Sequence, residues 1–362
     1  YRGSEATITG PNKGADSTNL ALDGNPFHKF SVTQGTGTAV RDELPPEERW
    51  EQVAAPKQDG ALPDKTKMPI KVLRTGYTGD GVTPATFTID QITWTPRKSG
   101  TSVTNPAPAI FDKDSNSVNL KGADLSFLHN RLWLAAGERV AASQAGDFFN
   151  FYVDNHRNLI DSDPIDRNVG STSEEVHFVD FMVPFRRSMV IFSKSGKQFE
   201  MSTPDVISPT SLQIEPATSY KTLAVRPKDS GLFLYFLSEE KDSASLREYL
   251  FEERRAQNDA SNLNAHTRGL LPNTMRSICT FPNHSMVAVI PKDCNEIFMY
   301  SSFWQGTEKV QSSWDRWVFD AGYDILDIAA VRSDLYMLVE TAGNVSIELI
   351  PVVREFLETV SL

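Results

Sequence analysis

One pattern constrains this chain more than any other. A turn of small, polar or basic residues, an apolar strand, a second turn and a second strand recur five times. The instances are "HNRLWLAAGERVAAS" (129–143), "FRRSMVIFSKSGKQFEMS" (185–202), "KDSGLFLYFLSEE" (228–240), "PNHSMVAVIPKDCNEIFMYS" (282–301) and "VRSDLYMLVETAGNVSIELI" (331–350). Their first strands open at Leu132, Met189, Leu232, Met286 and Leu335, at spacings of 57, 43, 54 and 49 residues. Each is preceded by another apolar stretch: "ADLSFL", "VHFVDFMV", "KTLAVR", "MRSICTF" and "DILDIAAV". Three or four strands per unit at a period near 50 residues is the signature of β-propeller blades, which leave only short, protected sheet edges. The expected fold is therefore all-β: an irregular β-propeller of about five to six blades, preceded by a smaller β-rich region. An irregular sandwich is the alternative that the loose repeat leaves open. "LREYLF" (246–251) reads as the next hairpin strand after "LFLYFLSEEKD", although Leu246, Tyr249 and Leu250 also have helical spacing.

Upstream of the repeat, turn-forming residues dominate. "HKFSVTQ" (28–34), "KMPIKVLRTG" (67–76) and "ATFTIDQITWTP" (85–96) read as strands, and "DELPPEERW" (42–50) as an exposed turn. "RKSGTSVTNPAPAIF" (97–111) is a Pro/Gly/Ser-rich connector, which places a boundary near residue 110. The expected domains are a β-rich region and connector over 1–110 and a propeller over 111–362. Residues 85–111 or a C-terminal strand complete the blade count. The chain opens on Tyr1 rather than Met, which predicts a piece of a longer protein.

Charge is unevenly placed. Residues 1–110 balance 12 basic against 12 acidic residues, whereas 111–362 carry 24 basic and 35 acidic, so the whole net charge of −11 lies there. Binding nucleic acid through phosphates requires Lys/Arg patches. This balance opposes such a surface and suits one that DNA passes without adhering, because like charges repel. No apolar run approaches the ~20 residues of a membrane span. Two cysteines, Cys279 and Cys294, are too few for a disulfide framework and read as free buried thiols.

The stretch "NFYVDNHRNLIDSDPID" (150–166) gathers Asp154, Asp161, Asp163 and Asp166 with His156. Asp161, Asp163 and Asp166 form D-x-D-x-x-D, the weak candidate for a metal site. An EF-hand loop requires Gly at its sixth position, where Asp166 stands, and Pro164 occupies the fourth. Asp side chains capping a Pro-stiffened turn account for the run better. A paired-carboxylate hydrolase remains open in so acidic a chain. Trp314 and Trp317 in "SSWDRWVF" are read as packing between blades rather than stacking on sugar. No nucleophile elbow, phosphate loop or H-E-x-x-H motif occurs. No catalytic residue and no cofactor is expected.

In order along the chain, a set of phrases resembles the tail nozzle family, or tail tubular protein B, of short-tailed podophages. The main segment is "FLHNRLWLAAGERVAASQAGDFFNFYVDNHRNLIDSDPIDRNV" (127–169), with Asn130-Arg131-Leu132, Ser143, Phe149-Asn150-Phe151-Tyr152 and Asp163-Pro164-Ile165-Asp166 matching. Ser162 stands where the family often has another Asp. "WTPRKSG…TNPAPAIF", with Trp94 and Pro96, precedes it, and "QSSWDRWVF", with Trp314 and Trp317, follows it. In "ASNLNAHTRGLLP" (260–272), Asn262 and Asn264 replace the family's Asp and Thr. The resemblance covers about residues 49–350 and identifies the chain as the central part of a longer member.

The resemblance implies a structural protein of the virion tail, made in the host cytoplasm and assembled as a homohexameric tube. Its implied partners are further copies of itself, a tail adaptor protein, tail fibres or spikes, and the genomic DNA, which passes through the lumen during ejection without specific binding. The alternative reading is a propeller that binds or hydrolyses polysaccharide on the host surface.

Overall fold

The computed structural model describes residues 31–34, 37–40, 70–76, 85–111, 122–156, 158–170, 175–202, 207–252, 257–281, 283, 285–292, 295–306 and 308–352. Among them regular structure is strand, apart from 3-10 conformation at Ala109–Phe111 and Asn283. Two compact units are present: Tyr1–Asn168 with Thr203–Leu212, and Val169–Ser202 with Gln213–Leu362.

The described residues of the first unit hold two hairpins and one sheet. β1 (Ser31–Gln34) pairs with β2 (Gly37–Val40), and β3 (Ile70–Gly76) with β4 (Thr86–Gln91). The strand expected over 85–96 forms only at Thr86–Gln91, and Ile70, Val72, Phe87 and Ile89 lie exposed together on one face of the β3–β4 hairpin. Two strands alone have no second layer to bury them. Residues 92–111 add no strand; "WTPRKSG…AIF" instead packs by side chains. The sheet is a meander of β5 (Gly122–Leu128), β6 (Arg131–Ala136), β7 (Arg139–Ala142) and β8 (Ile165–Asn168).

The second unit repeats that meander. Its sheets are β9 (Val179–Phe185), β10 (Ser188–Ser193), β11 (Lys197–Ser202), β12 (Gln213–Ser219); β13 (Lys228–Asp229), β14 (Leu234–Glu239), β15 (Ala244–Glu252), β16 (Gln257–Asn262); β17 (Met275–Phe281), β18 (Met286–Pro291), β19 (Glu296–Gln305), β20 (Glu308–Val318); and β21 (Tyr323–Val331), β22 (Asp334–Thr341), β23 (Asn344–Pro351). Each of these antiparallel sheets runs its strands in chain order, the strand order expected of a propeller blade. The five recurrences found in the sequence map onto the second strand of each sheet: β6, β10, β14, β18 and β22. The described part of the last sheet has three strands, and the C-terminal strand suggested by the sequence lies outside the described residues.

Two expectations shift in detail. "KTLAVR" is not a full strand: Thr222 makes a single bridge to Ser238, and the sheet's first strand is the two-residue β13. Pro227 follows this stretch directly, biases Arg226 and lacks a ladder N–H, which interrupts the pairing. Leu232 lies in the turn before β14, where Gly231 takes φ +89°. "LREYLF" is strand, within β15.

Stacking of sheets explains why the repeat reads as unbroken apolar runs. Side chains alternate between faces along a strand. On β14, Leu234 and Phe236 pack with Val183, Phe185, Val190 and Phe192 of β9–β10, whereas Tyr235 and Leu237 pack with Ile278, Val287 and Val289 of β17–β18. On β18, Val287 and Val289 face one neighbour, while Ala288 and Ile290 join Ile325, Leu335, Met337 and Val339 of β21–β22. Both faces are buried, so neither can be polar.

A charged pair with a buried carboxylate crosses such a junction. Glu248 on β15 is 2% exposed, and Lys309 Nζ on β20 donates to its two carboxylate oxygens at 2.8 and 3.0 Å. Tyr235 Oη donates to the same carboxylate at 3.1 Å. Lys309 also lies 4.9 Å from the Trp304 ring centroid, and Trp304 stacks on Phe233 at 5.2 Å. Removing the cation leaves a buried carboxylate without its counter-charge. Lys309→Met is expected to lower stability by about 3–5 kcal/mol, and adding Glu248→Gln to recover part of the loss. Urea unfolding of the two variants checks this.

Candidate functional site

The segment that carries most of the sequence motifs folds around one side chain. β5 and β6 are joined by the two residues His129 and Asn130, with Leu128 paired to Arg131. Both turn residues have positive φ, 48° and 56°, the type I′ geometry that fits strand twist and that Asn tolerates. The turn delivers Arg131 into the interior, where it is 1% exposed. Its Nη1 donates to the carbonyls of Ser143 (2.8 Å) and Asp163 (2.7 Å). Its Nη2 donates to those of Asp161 and, at 3.3 Å, Ile207. One guanidinium therefore satisfies four main-chain acceptors from two connections, β7–β8 and β11–β12, a task suited to its planar fork of donors. Burial pushes the guanidinium pKa down from its ordinary value, and the carboxylates of Asp163 and Asp161 oppose that shift.

The three acids are spent in different places. Asp163 is fully buried, and its Oδ2 accepts the Ile160 N–H at 2.8 Å, closing the turn before Pro164. Its Oδ1 has no hydrogen-bond partner among the described residues and relies on the nearby positive charge of Arg131. Asp166, one residue into β8, accepts the Ala109 N–H at 3.1 Å and meets Arg139 at 3.5 Å. Asp161 contributes its carbonyl to Arg131. Among the described residues, no group of three or more His, Cys, Asp or Glu side chains is arranged to hold a metal ion.

The aromatic motif lines the same unit. Trp94, Phe111 and Phe151 form a cluster with ring centroids 5.2–6.3 Å apart, and Phe149 meets Trp94 edge-on at 5.7 Å. Pro96 is exposed. Tyr152 is buried beneath Arg97, whose guanidinium lies 5.2 Å from its ring centroid; burial raises the Tyr152 pKa. Asn150 fixes the turn: its amide donates to Gln144 Oε1 at 2.7 Å and its carbonyl accepts the Tyr152 N–H at 3.0 Å. In the second unit, Trp314 packs against the core between the β13–β16 and β17–β20 sheets and donates to the Leu263 carbonyl at 3.2 Å. Trp317 packs against the core of the next junction.

Several organising residues carry no signal in the sequence. Asn105 donates to the carbonyls of Ser99 and Val153, both at 2.9 Å. Asp154 accepts from Lys98 and from Gln144, both at 3.0 Å. Partners roughly fifty residues apart have no local spacing to betray them. Asn264 is buried and replaces a ladder bond, accepting the Leu246 N–H at 2.9 Å and donating to the Ala244 carbonyl at 3.0 Å. Cys279 is a free thiol pushed up to about 11 by burial, the state of an inert rather than a nucleophilic cysteine. In the Arg131 network the arginine's donors and the Asp163 and Asp166 carboxylates are spent on the fold itself. What it can do chemically is hold backbone.

Two outcomes follow. Arg131→Met strands four carbonyls, three of them in buried hydrogen bonds, and is expected to cost about 3–5 kcal/mol in urea unfolding, while Asn130→Ala costs about 1 kcal/mol and Asn130→Gly much less. Burial tends to raise the Asp154 carboxyl, but hydrogen bonds from Lys98 and Gln144 outweigh it and hold the carboxyl below the usual range. A depressed folded-state value stabilises above the unfolded carboxylate pKa, and that contribution is lost as pH falls through the folded value. Thermal midpoints measured from pH ~6 down to ~2 are expected to fall less steeply for Asp154→Asn than for the parent.

Comparison with known proteins adds a sequence-level result. Tail tubular protein gp12 of Escherichia phage T7 is 28% identical over 261 residues, covering 71% of this chain and 32% of that protein. The chain thus spans about a third of that relative's length. Among solved structures, Kluyveromyces lactis Hsv2p aligns over 67% of this chain and 65% of its own, at 12% identity and TM-score 0.39. The N-terminal domain of Nup159 aligns over 62% and 56%, at 10% identity and TM-score 0.37. Structural likeness at that level carries no argument. The bacteriophage nozzle protein family matches residues 32–361, nearly the whole sequence, and the chain belongs to that family.

Proposed function

We propose that this chain is the propeller-bearing middle part of a phage tail nozzle, a structural component of the tail tube. Family membership over residues 32–361 is the observation that carries the reading. The chemistry agrees with it: the conspicuous polar groups of the motif segment are consumed in bracing backbone and loops. Residues 111–362 form the propeller body, with 1–110 as a β-rich region before it.

The finer reading rests on the resemblance in the motifs. The intact protein assembles as a homohexameric ring, meets the adaptor and the fibres or spikes, and lets DNA pass. The acidic excess of residues 111–362 supports the last point, since a surface of like charge does not retain phosphates. The role is structural rather than enzymatic.

In the phage that encodes this chain, antibodies against it are expected to decorate the tail, and loss of the protein to give filled heads without a functional tail. Infective virions lacking the protein overturn the assignment. The purified chain is expected to leave duplex DNA unshifted at ~150 mM salt and to release no reducing ends from host polysaccharides. Release that disappears on substituting one acid pair overturns the non-enzymatic reading.

A further inference from the structure

One face of the β5–β8 sheet carries Leu132, Leu134 and Ala136 of β6 and Ala141 of β7, and no strand covers it. Ile92, Trp94, Ile110 and Phe111 pack on it instead, together with Phe148 and Phe151 of the β7–β8 connection. In the second unit that work is done by sheets, since both faces of β14 and of β18 lie against neighbouring strands. The covering segment is tied down along its length. Thr95 N–H donates to the Phe149 carbonyl at 3.0 Å. Lys98 Nζ reaches the Asp154 carboxylate at 3.0 Å, and Ser99 Oγ donates to the Asp154 carbonyl at 2.8 Å. Asn105, 3% exposed, donates to the Val153 carbonyl at 2.9 Å and accepts the Val153 N–H at 3.3 Å, as a strand neighbour would. Ala109 N–H donates to the Asp166 carboxylate at 3.1 Å. Gly100, at φ +79°, is the point of closest approach: a Cβ there would fall 2.9 Å from Asn105 Cβ and 3.2 Å from His156 Cγ.

We propose that residues 92–111 are a cap, which takes the place of a neighbouring sheet on this face and keeps the face from associating with a second copy of the chain. An uncovered apolar sheet face invites self-association, and arrays of stacked units need end pieces that close them. A segment that merely linked two domains would need none of these bonds. The β-rich region before the propeller therefore divides at Ile92: residues 92–111 fold with the β5–β8 core, to which the β3–β4 hairpin contributes no residue.

Hydrogen exchange followed by mass spectrometry, with dye binding and sedimentation, tests this on the full chain. In the parent, peptides from 94–111 are expected to be protected and to lose protection together with β6–β7 as urea rises. Asn105→Ala is expected to raise exchange in 94–105 and 144–156 about tenfold, with β17–β20 unchanged. The same variant binds more of a dye that reports apolar surface, and its sedimenting mass grows with concentration beyond the parent's. Gly100→Ala, which wedges the segment away from Asn105 and His156, acts in the same direction by more; should it fail to fold, Asn105→Ala alone carries the test. Unprotected 94–111 peptides in the parent overturn the cap. So does exchange unchanged in the folded variants, or faster exchange there with dye binding and sedimentation at the parent's level.

Discussion

A sheet buried on both faces has nowhere to put a polar side chain, and much else in this molecule follows from that restriction. Leu234, Tyr235, Phe236 and Leu237 face opposite neighbours in turn, so β14 has no solvent side. The β13–β16 and β17–β20 meanders each supply half of two cores and complete neither. Polar work is thereby displaced to strand ends and connections. The exception, Glu248 with Lys309, shows the terms on which a charge is admitted: a partner from the adjacent sheet, two hydrogen bonds and a phenol to fill the remaining acceptor.

The connections meet that demand differently in the two units. In the second, most links are short turns whose geometry is set by a left-handed residue, such as Arg186, Arg332 or Ala342 with Gly343. In the first, the β7–β8 connection spans residues 143–164, too long to be held by turn chemistry alone. Arg131 serves as its anchor, and the Trp94 cluster supplies apolar area that a single sheet does not. The Asp-rich run belongs to this connection, which explains why it resembles a ligand loop in composition while its carbonyls and the Asp163 and Asp166 carboxylates point at the protein.

Much of the fold was legible beforehand because two-faced burial writes itself into sequence as continuous apolar strands at a near-regular period. "SMVIFS", "LYFLSE" and "MVAVIP" are strands for that reason. Legibility failed where tertiary context decides. "KTLAVR" is as apolar as its counterparts, yet Pro227 breaks its pairing; Ile70 and Phe87 alternate correctly but face no layer among the described residues. The motif residues were visible as a family pattern, whereas their jobs were not. Nothing local marks Arg131 as a donor to four carbonyls, or Asn105 as the link between residues 99 and 153, since both depend on segments remote in the chain.

The choice of acceptors by Arg131 bears on what the loops around it must keep. All four are main-chain oxygens, so the hydrogen bonds of the guanidinium are made to the backbone of Ser143, Asp161, Asp163 and Ile207, with the Asp163 and Asp161 carboxylates adding only their charge. Ser162, which departs from the family's usual Asp, likewise contributes its carbonyl, accepting the Ala145 N–H at 2.9 Å. The demand that Arg131 makes on these loops is therefore one of path: their carbonyls must stay where the guanidinium can reach them.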